Sequence, residues 1–163
     1  MKFRGPDVPL LDGSLGLDIF AHRAITIIPR KAIVLESPSS LADRVKTARA
    51  FPIRIVRDVE GIALSVDGAV RTPEGLLGWN WTPATADLWS SPITSRRFLD
   101  CRSIGRRQAG HFKLANGITV AATIRTRDLV MDGNIGAQFL NQWALTLDLE
   151  HERAWLAPLS SDE

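Results

Sequence analysis

The chain has 163 residues, 45% of them hydrophobic and 23% charged, with 20 basic against 18 acidic side chains. That length supports one good core, and no apolar run is long enough for a transmembrane helix. A single cysteine, Cys101, excludes an internal disulfide framework and a cysteine zinc cluster, and His22, His111 and His151 are too scattered for a metal motif.

No apolar stretch follows Met1 to Pro6, so no signal peptide is visible; with Met1 as the true start, the expected compartment is the cytoplasm. The first patterned segment is Leu11-Asp12-Gly13-Ser14-Leu15-Gly16-Leu17-Asp18-Ile19-Phe20, continuing Ala24-Ile25-Thr26-Ile27. Asp-Gly makes a turn, a helical turn follows, and a hairpin closes through Pro29-Arg30-Lys31 onto Ala32-Ile33-Val34-Leu35. Asp18, in the first helical turn, reads as an electrostatically favoured structural carboxylate. Ser37 to Ala50 is polar and helix-capable, with Leu41, Val45 and Ala48 on one side and Ser40 as the expected cap.

From Phe51 the chain reads as short strands. Phe51, Ile53 and Ile55 alternate with Pro52, Arg54 and Val56. Asp58 to Gly61 is an expected turn. Ile62, Leu64 and Val66 alternate up to Asp67-Gly68, read as a tight hairpin turn because both residues tolerate positive φ. Ala69 to Arg71, a turn at Thr72-Pro73-Glu74-Gly75, and a strand at Leu76 to Trp81 follow. Further on, His111 to Leu114 and Ile118 to Ala121 flank Ala115-Asn116-Gly117, a strong hairpin signal, and Ala122 to Val130 extends the second arm.

The end of the chain repeats its beginning. Met131-Asp132-Gly133-Asn134-Ile135-Gly136-Ala137-Gln138-Phe139-Leu140, continuing Ala144-Leu145-Thr146-Leu147, matches the first segment at an offset of 120, since 132 − 12 = 120. A turn at Glu150-His151-Glu152 leads to Arg153-Ala154-Trp155-Leu156. This spacing is too long for a solenoid unit and fits the ends of two tandem domains.

The repeated pattern, apolar-Asp-Gly-x-(Ile/Leu)-Gly, resembles the C-terminal part of retropepsin-like and pepsin-like aspartic peptidases. That resemblance implies a catalytic aspartate earlier in the chain, in an Asp-Thr-Gly loop beside the apolar-apolar-Gly element. Trp81-Thr82-Pro83-Ala84-Thr85-Ala86-Asp87-Leu88-Trp89 resembles the pepsin-type stretch Phe-Asp-Thr-Gly-Ser-Ala-Asp-Leu-Trp, with Ala-Asp-Leu-Trp intact. Thr82, Pro83 and Ala84 stand where the catalytic Asp, Thr and Gly belong. Aspartic peptidases need two carboxylates sharing one proton. A threonine hydroxyl is no such base, Pro83 removes a backbone N–H, and Ala84 replaces a close-approach glycine. Asp87 has no nameable partner, and Asp12 and Asp132 are turn formers on this reading.

The expected fold is all-β, a retropepsin-like closed barrel or sandwich with one or two short helices. Residues 1–37 are expected to be the C-terminal segment of a first such domain, 38–50 a linker, and 51–163 a nearly complete domain. The expected function is a catalytically degenerate structural half, or a peptide- or protein-binding module, of a two-lobed peptidase-like protein, with no cofactor and no metal. Its expected partners are an extended peptide or protein, with association as a homodimer or with the missing half, and no membrane. One alternative makes the chain part of an active aspartic endopeptidase, a hydrolase whose Asp-Thr-Gly loop lies elsewhere. The other is a basic all-β module for nucleic acid or another anion.

The candidate binding residues are Trp79, Trp81 and Trp89, plus the arginine cluster Arg96, Arg97, Arg102, Arg106 and Arg107. Sixteen of the twenty basic residues are arginine, and Ser95 to Arg107 holds five of them against one acid. The chain has no tyrosine, and no nucleic-acid motif frames that run. A solvated loop, or contacts to acidic groups of a partner, is therefore the preferred reading of the arginines. Cys101, with arginines nearby and His111 as a conceivable base, reads as a small buried hydrophobe.

Overall fold

Among the described residues eleven strands form one continuous order of hydrogen-bonded neighbours. The structure is a computed structural model that describes residues 16–57, 64–73, 75–81, 88–90, 106–128 and 132–159. The elements are a 3-10 turn at Leu17–Phe20, β1 Ala24–Ile28, β2 Ala32–Leu35, helix α1 Pro38–Val45, β3 Arg49–Arg57, β4 Leu64–Thr72 and β5 Gly75–Trp81. They continue with β6 Leu88–Ser90, β7 Arg107–Leu114, β8 Thr119–Thr126, β9 Gly133–Ile135, α2 Ala137–Leu140, β10 Trp143–Asp148 and β11 Arg153–Pro158. The fold is all-β with short helices, as the spacing of turns and strands implies.

The strand order is β2-β1-β10-β11-β3-β4-β5-β9-β6-β8-β7, and β4 also pairs with β7. That last pairing closes β4 to β9 into a barrel. Alternation along the strands points Val66, Val70, Trp79, Phe112, Leu114, Val120, Ile124 and Ile135 into one buried core. In β3, Phe51 is buried while Pro52 and Arg54 are exposed, so the period-2 pattern reports the barrel wall. Asn116-Gly117 turns the β7–β8 hairpin, with Gly117 at φ 84 and the Asn116 side-chain Oδ1 accepting from the Ile118 N–H.

Two local expectations are corrected. The helix cap is Ser37, not Ser40. The Ser37 hydroxyl accepts from the Ser40 N–H at 3.1 Å, and the Ser40 hydroxyl accepts from the Ser37 N–H at 2.9 Å. Pro38 has no N–H to lose and opens the first turn, which sets the cap one residue before it.

Asp67-Gly68 is no turn either, because β4 runs straight through it. The Asp67 carboxylate accepts from Arg54 at 2.8 Å and from the Asn80 amide at 3.3 Å, tying β4 to β3 and β5. Gly68 lies against the Trp81 indole, where a Cβ would collide with Nε1. The glycine is there for close approach, not for positive φ.

The two copies of the repeat are neighbours. β1 and β10 pair antiparallel, with Thr26 opposite Thr146, Ile25 opposite Leu147 and Ile27 opposite Leu145. Their hairpins continue outward, β2 beside β1 and β11 beside β10. β11 then pairs with β3, joining this sheet to the barrel.

Candidate functional site

Three strands converge at the end of β5. β5 and β9 run parallel, with Asn80 opposite Asn134 and Trp81 opposite Ile135. β6 lies antiparallel on the other side of β9, with Trp89 opposite Asn134. The end of β5 therefore abuts Ile135-Gly136, the apolar-Gly element of the second repeat. The loop expected to be degenerate follows directly in sequence. Thr82, Pro83, Ala84 and Asp87 lie outside the described residues, as do Asp12, Arg96, Arg97, Cys101 and Arg102.

Trp81 organises the site. Its ring stacks on Phe51 at 4.9 Å between centroids and meets Phe139 edge-on at 5.7 Å, and Phe139 leans on Trp143 at 6.2 Å. Offset-stacked and edge-to-face geometries are the favoured ones for aromatic pairs. Among the described residues the buried Trp81 Nε1 has no acceptor, and an orphaned donor of this kind costs on the order of 1–3 kcal/mol. Next to this ring lies a cavity of about 730 Å³ whose walls include Trp81, Trp143, Leu64 and Val66. Both repeats contribute to it, Ile27 from the first and Leu147 from its equivalent position in the second. Its lining is mostly apolar.

The other tryptophans are placed differently. Trp79 is fully buried and packs its ring on Phe112 at 5.2 Å, so it serves the barrel interior. For Trp89 the backbone position in β6 is described. Arg106 and Arg107 are exposed, and Arg107 faces Arg125 across the β7–β8 ladder. A shallower hollow of about 450 Å³ includes His111, Thr123 and Gln138.

Two buried carboxylates escape a reading of sequence motifs. Glu36 accepts from the hydroxyls of Thr26 (2.6 Å) and Ser40 and from Arg44 Nε at 3.2 Å, and Thr26 in turn shares a 2.9 Å hydrogen bond with Thr146. Burial raises the Glu36 pKa, but the Ser40 and Thr26 hydroxyls and the Arg44 guanidinium outweigh it and hold the carboxyl below its ordinary value. Asp148 accepts from Arg153 Nη2 at 2.6 Å and lies 2.9 Å from His151 Nδ1. There too burial raises the pKa, and the Arg153 and His151 hydrogen bonds overcome it, leaving the carboxyl lowered. The only advance signal was that Thr26 and Thr146 occupy the same repeat position.

Among the described residues, Asp18 and Asp132 are exposed. No group of three or more His, Cys, Asp or Glu comes together as a metal site there, and no helix is long and apolar enough to cross a membrane.

The class that this architecture defines is an all-β fold with short helices, and its likeness to solved structures is one of fold alone. Among solved structures, basic 7S globulin from soybean is similar at a TM-score of 0.50 and 11% identity, covering 88% of this chain and 53% of the globulin. Conglutin gamma, a basic 7S globulin from lupine seeds, is similar at 0.50 and 12% identity, covering 90% and 54%. The retroviral protease-like domain of Ddi1 from Leishmania major aligns at a TM-score of 0.38 and 16% identity, covering 60% of this chain and 92% of that domain. The chain thus spans about half the length of the two globulins. No family model matches the sequence, and no curated protein does.

Proposed function

We propose that this chain is a catalytically silent lobe of a two-lobed, aspartic-peptidase-like protein, acting as a structural half that also holds extended peptide or protein segments. The observation that carries this reading is the meeting of Trp81 and Ile135 at the β5–β9 crossing, because the next residues in sequence are Thr82-Pro83-Ala84 and not Asp-Thr-Gly. A peptidase of this class needs a pair of carboxylates sharing a proton at that point. Three buried or partly buried carboxylates among the described residues are committed to other partners. Asp67 holds Arg54, Asp148 holds Arg153, and Glu36 holds Thr26 and Arg44. The apolar cavity beside Trp81 supports a holding role without cleavage.

The test is incubation of the purified chain with a denatured protein substrate at acidic pH, with and without pepstatin. No cleavage is expected. Pepstatin-sensitive cleavage by the chain alone would overturn the silent reading. Cleavage that appears only on adding a second lobe would favour the alternative in which the intact loop is supplied from elsewhere.

A further inference from the structure

Every residue of the first hairpin has an equivalent in the second, so their burial can be compared position by position. Ile19 is 55% exposed, whereas Phe139 is 1% exposed. Ile33 is 54% exposed and its equivalent Ala154 is 1%. Leu35 is 54% exposed and its equivalent Leu156 is 0%. Along β2 and β11 the offset becomes 121, because the second turn spans 149–152 where the first spans 29–31. Of the four large hydrophobics exposed among the described residues, three are these first-repeat positions, Ile19, Ile33 and Leu35.

What covers the second copy is on view. β3 pairs with β11, setting Phe51 opposite Ala154 and Arg49 opposite Leu156, and the rings of Trp81 and Trp143 cover Phe139. Among the described residues nothing corresponds on the first copy, where β2 has β1 as its one neighbour and ends the strand order. An edge strand with outward apolar side chains is a template for pairing.

We infer that β2 is the acceptor edge for an antiparallel strand from a second lobe of this same architecture, in the place that β3 takes on β11. The pairing register carries over from the covered copy. The incoming residue that corresponds to Phe51 lies opposite Ile33, and the one that corresponds to Arg49 lies opposite Leu35. In a second copy of this chain β3 is already held between β11 and β4, so the donor is a lobe whose β3 equivalent has no closing hairpin of its own. About half of each similar globulin has no counterpart in this chain, which leaves room for a lobe of that size. The inference rests on the two-lobed part of the reading above and not on the silence of the β5 loop.

The experiment uses the full chain with a copy of its own Arg49–Arg57 strand joined upstream through a flexible Gly/Ser linker, which raises the local strand concentration. The control carries the same nine residues scrambled. Amide hydrogen exchange is followed at Ala32–Leu35, with β10–β11 as the internal reference. The strand fusion is expected to slow exchange at Ala32–Leu35 by about tenfold or more relative to the scrambled control. Ile33→Lys with Leu35→Lys abolishes that protection while leaving β10–β11 exchange unchanged. Equal exchange in the two fusions overturns the inference. So does a dimer of the unmodified chain that already protects Ala32–Leu35, which makes a second copy the occupant. Pepstatin-sensitive cleavage would sink the silent-lobe reading and leave this pairing standing.

Discussion

Thr26 and Thr146 lie 120 residues apart in the chain, and their hydroxyls lie 2.9 Å apart in the fold. Both are buried and they face each other across β1 and β10. Their separation equals the offset of the repeat, so a local two-fold axis passes between them. The flanking pairs obey it, since Ile25–Leu147 and Ile27–Leu145 are exchanged by the same operation. The axis breaks beyond the threonines, because Glu36 accepts from Thr26. Thr26 gives its proton to that carboxylate and so accepts from Thr146.

That order of donation makes the two threonines unequal. Thr146→Val removes one buried neutral hydrogen bond and is expected to cost about 1 kcal/mol. Thr26→Val also takes a donor from the Glu36 carboxylate, so its cost is expected to be higher, about 1.5–3 kcal/mol. Urea denaturation of both variants checks the ranking, and equal losses would contradict the donor assignment.

Acid stability follows from Glu36 and Asp148. Both carboxyls are lowered in the fold, Glu36 by its hydroxyl and Arg44 partners and Asp148 by Arg153 and His151, against the opposing effect of burial. A lowered carboxylate contributes stability that is full above its unfolded pKa and is lost as pH falls through the folded one. Stability should therefore hold down to about pH 4 and fall steeply below it. Glu36→Gln and Asp148→Asn should each lower stability at neutral pH and flatten the acid limb, as read by thermal melts across pH.

Gly68→Ala forces a Cβ into the Trp81 indole. Overpacking of this kind costs about 1–3 kcal/mol. Trp81→Leu vacates the ring volume, so the double variant should lose less than the sum of the two single losses. A double-mutant cycle measures that coupling. Strict additivity would mean that Gly68 is not holding space for the ring.

Both closing hairpins turn through a non-glycine residue in left-handed backbone, Arg30 at φ 62 and Glu152 at φ 52. A side chain there costs roughly 1–2 kcal/mol, partly offset by the greater freedom of glycine in the unfolded chain. Arg30→Gly and Glu152→Gly are each expected to raise stability, by up to about 1 kcal/mol. Calorimetry of the two variants checks this.

Leu35→Ala and Leu156→Ala compare the two hairpins directly. Leu156 is fully buried, so its loss should cost about 2–5 kcal/mol. Leu35 is more than half exposed, so its loss should stay within about 0.5 kcal/mol in the isolated chain. Denaturant melts separate the two, and a large loss at Leu35 would mean that β2 is covered already.

Much of the fold was legible because its signals are local. Asn116-Gly117 turns a hairpin through its own backbone preferences, and Phe51-Ile53-Ile55 alternates because a strand has two faces. Asp67-Gly68 carries the same local signal as a hairpin turn, and the fold overrides it. The deciding contacts come from Arg54, Asn80 and Trp81, each thirteen residues away. The glycine was visible in the sequence, but the ring that requires it was not. At the candidate site, the run Thr82-Pro83-Ala84 after Trp81 was readable letter by letter. The cavity beside Trp81 was not, since its walls come from positions as distant as Ile27 and Leu147.

The ordinary composition of the chain, its closely spaced turns and its 120-residue repeat sufficed to define an all-β architecture with two related ends. Propensity and patterning act over a few residues, and a repeat needs no contact to be seen. Tertiary structure alone set Thr26 against Thr146, brought Trp81 to Ile135 in parallel register, and covered one hairpin while leaving its twin open. Those outcomes depend on which strands become neighbours in space. Burial and cross-strand pairing settle that between residues far apart in the chain, where local preference has no reach.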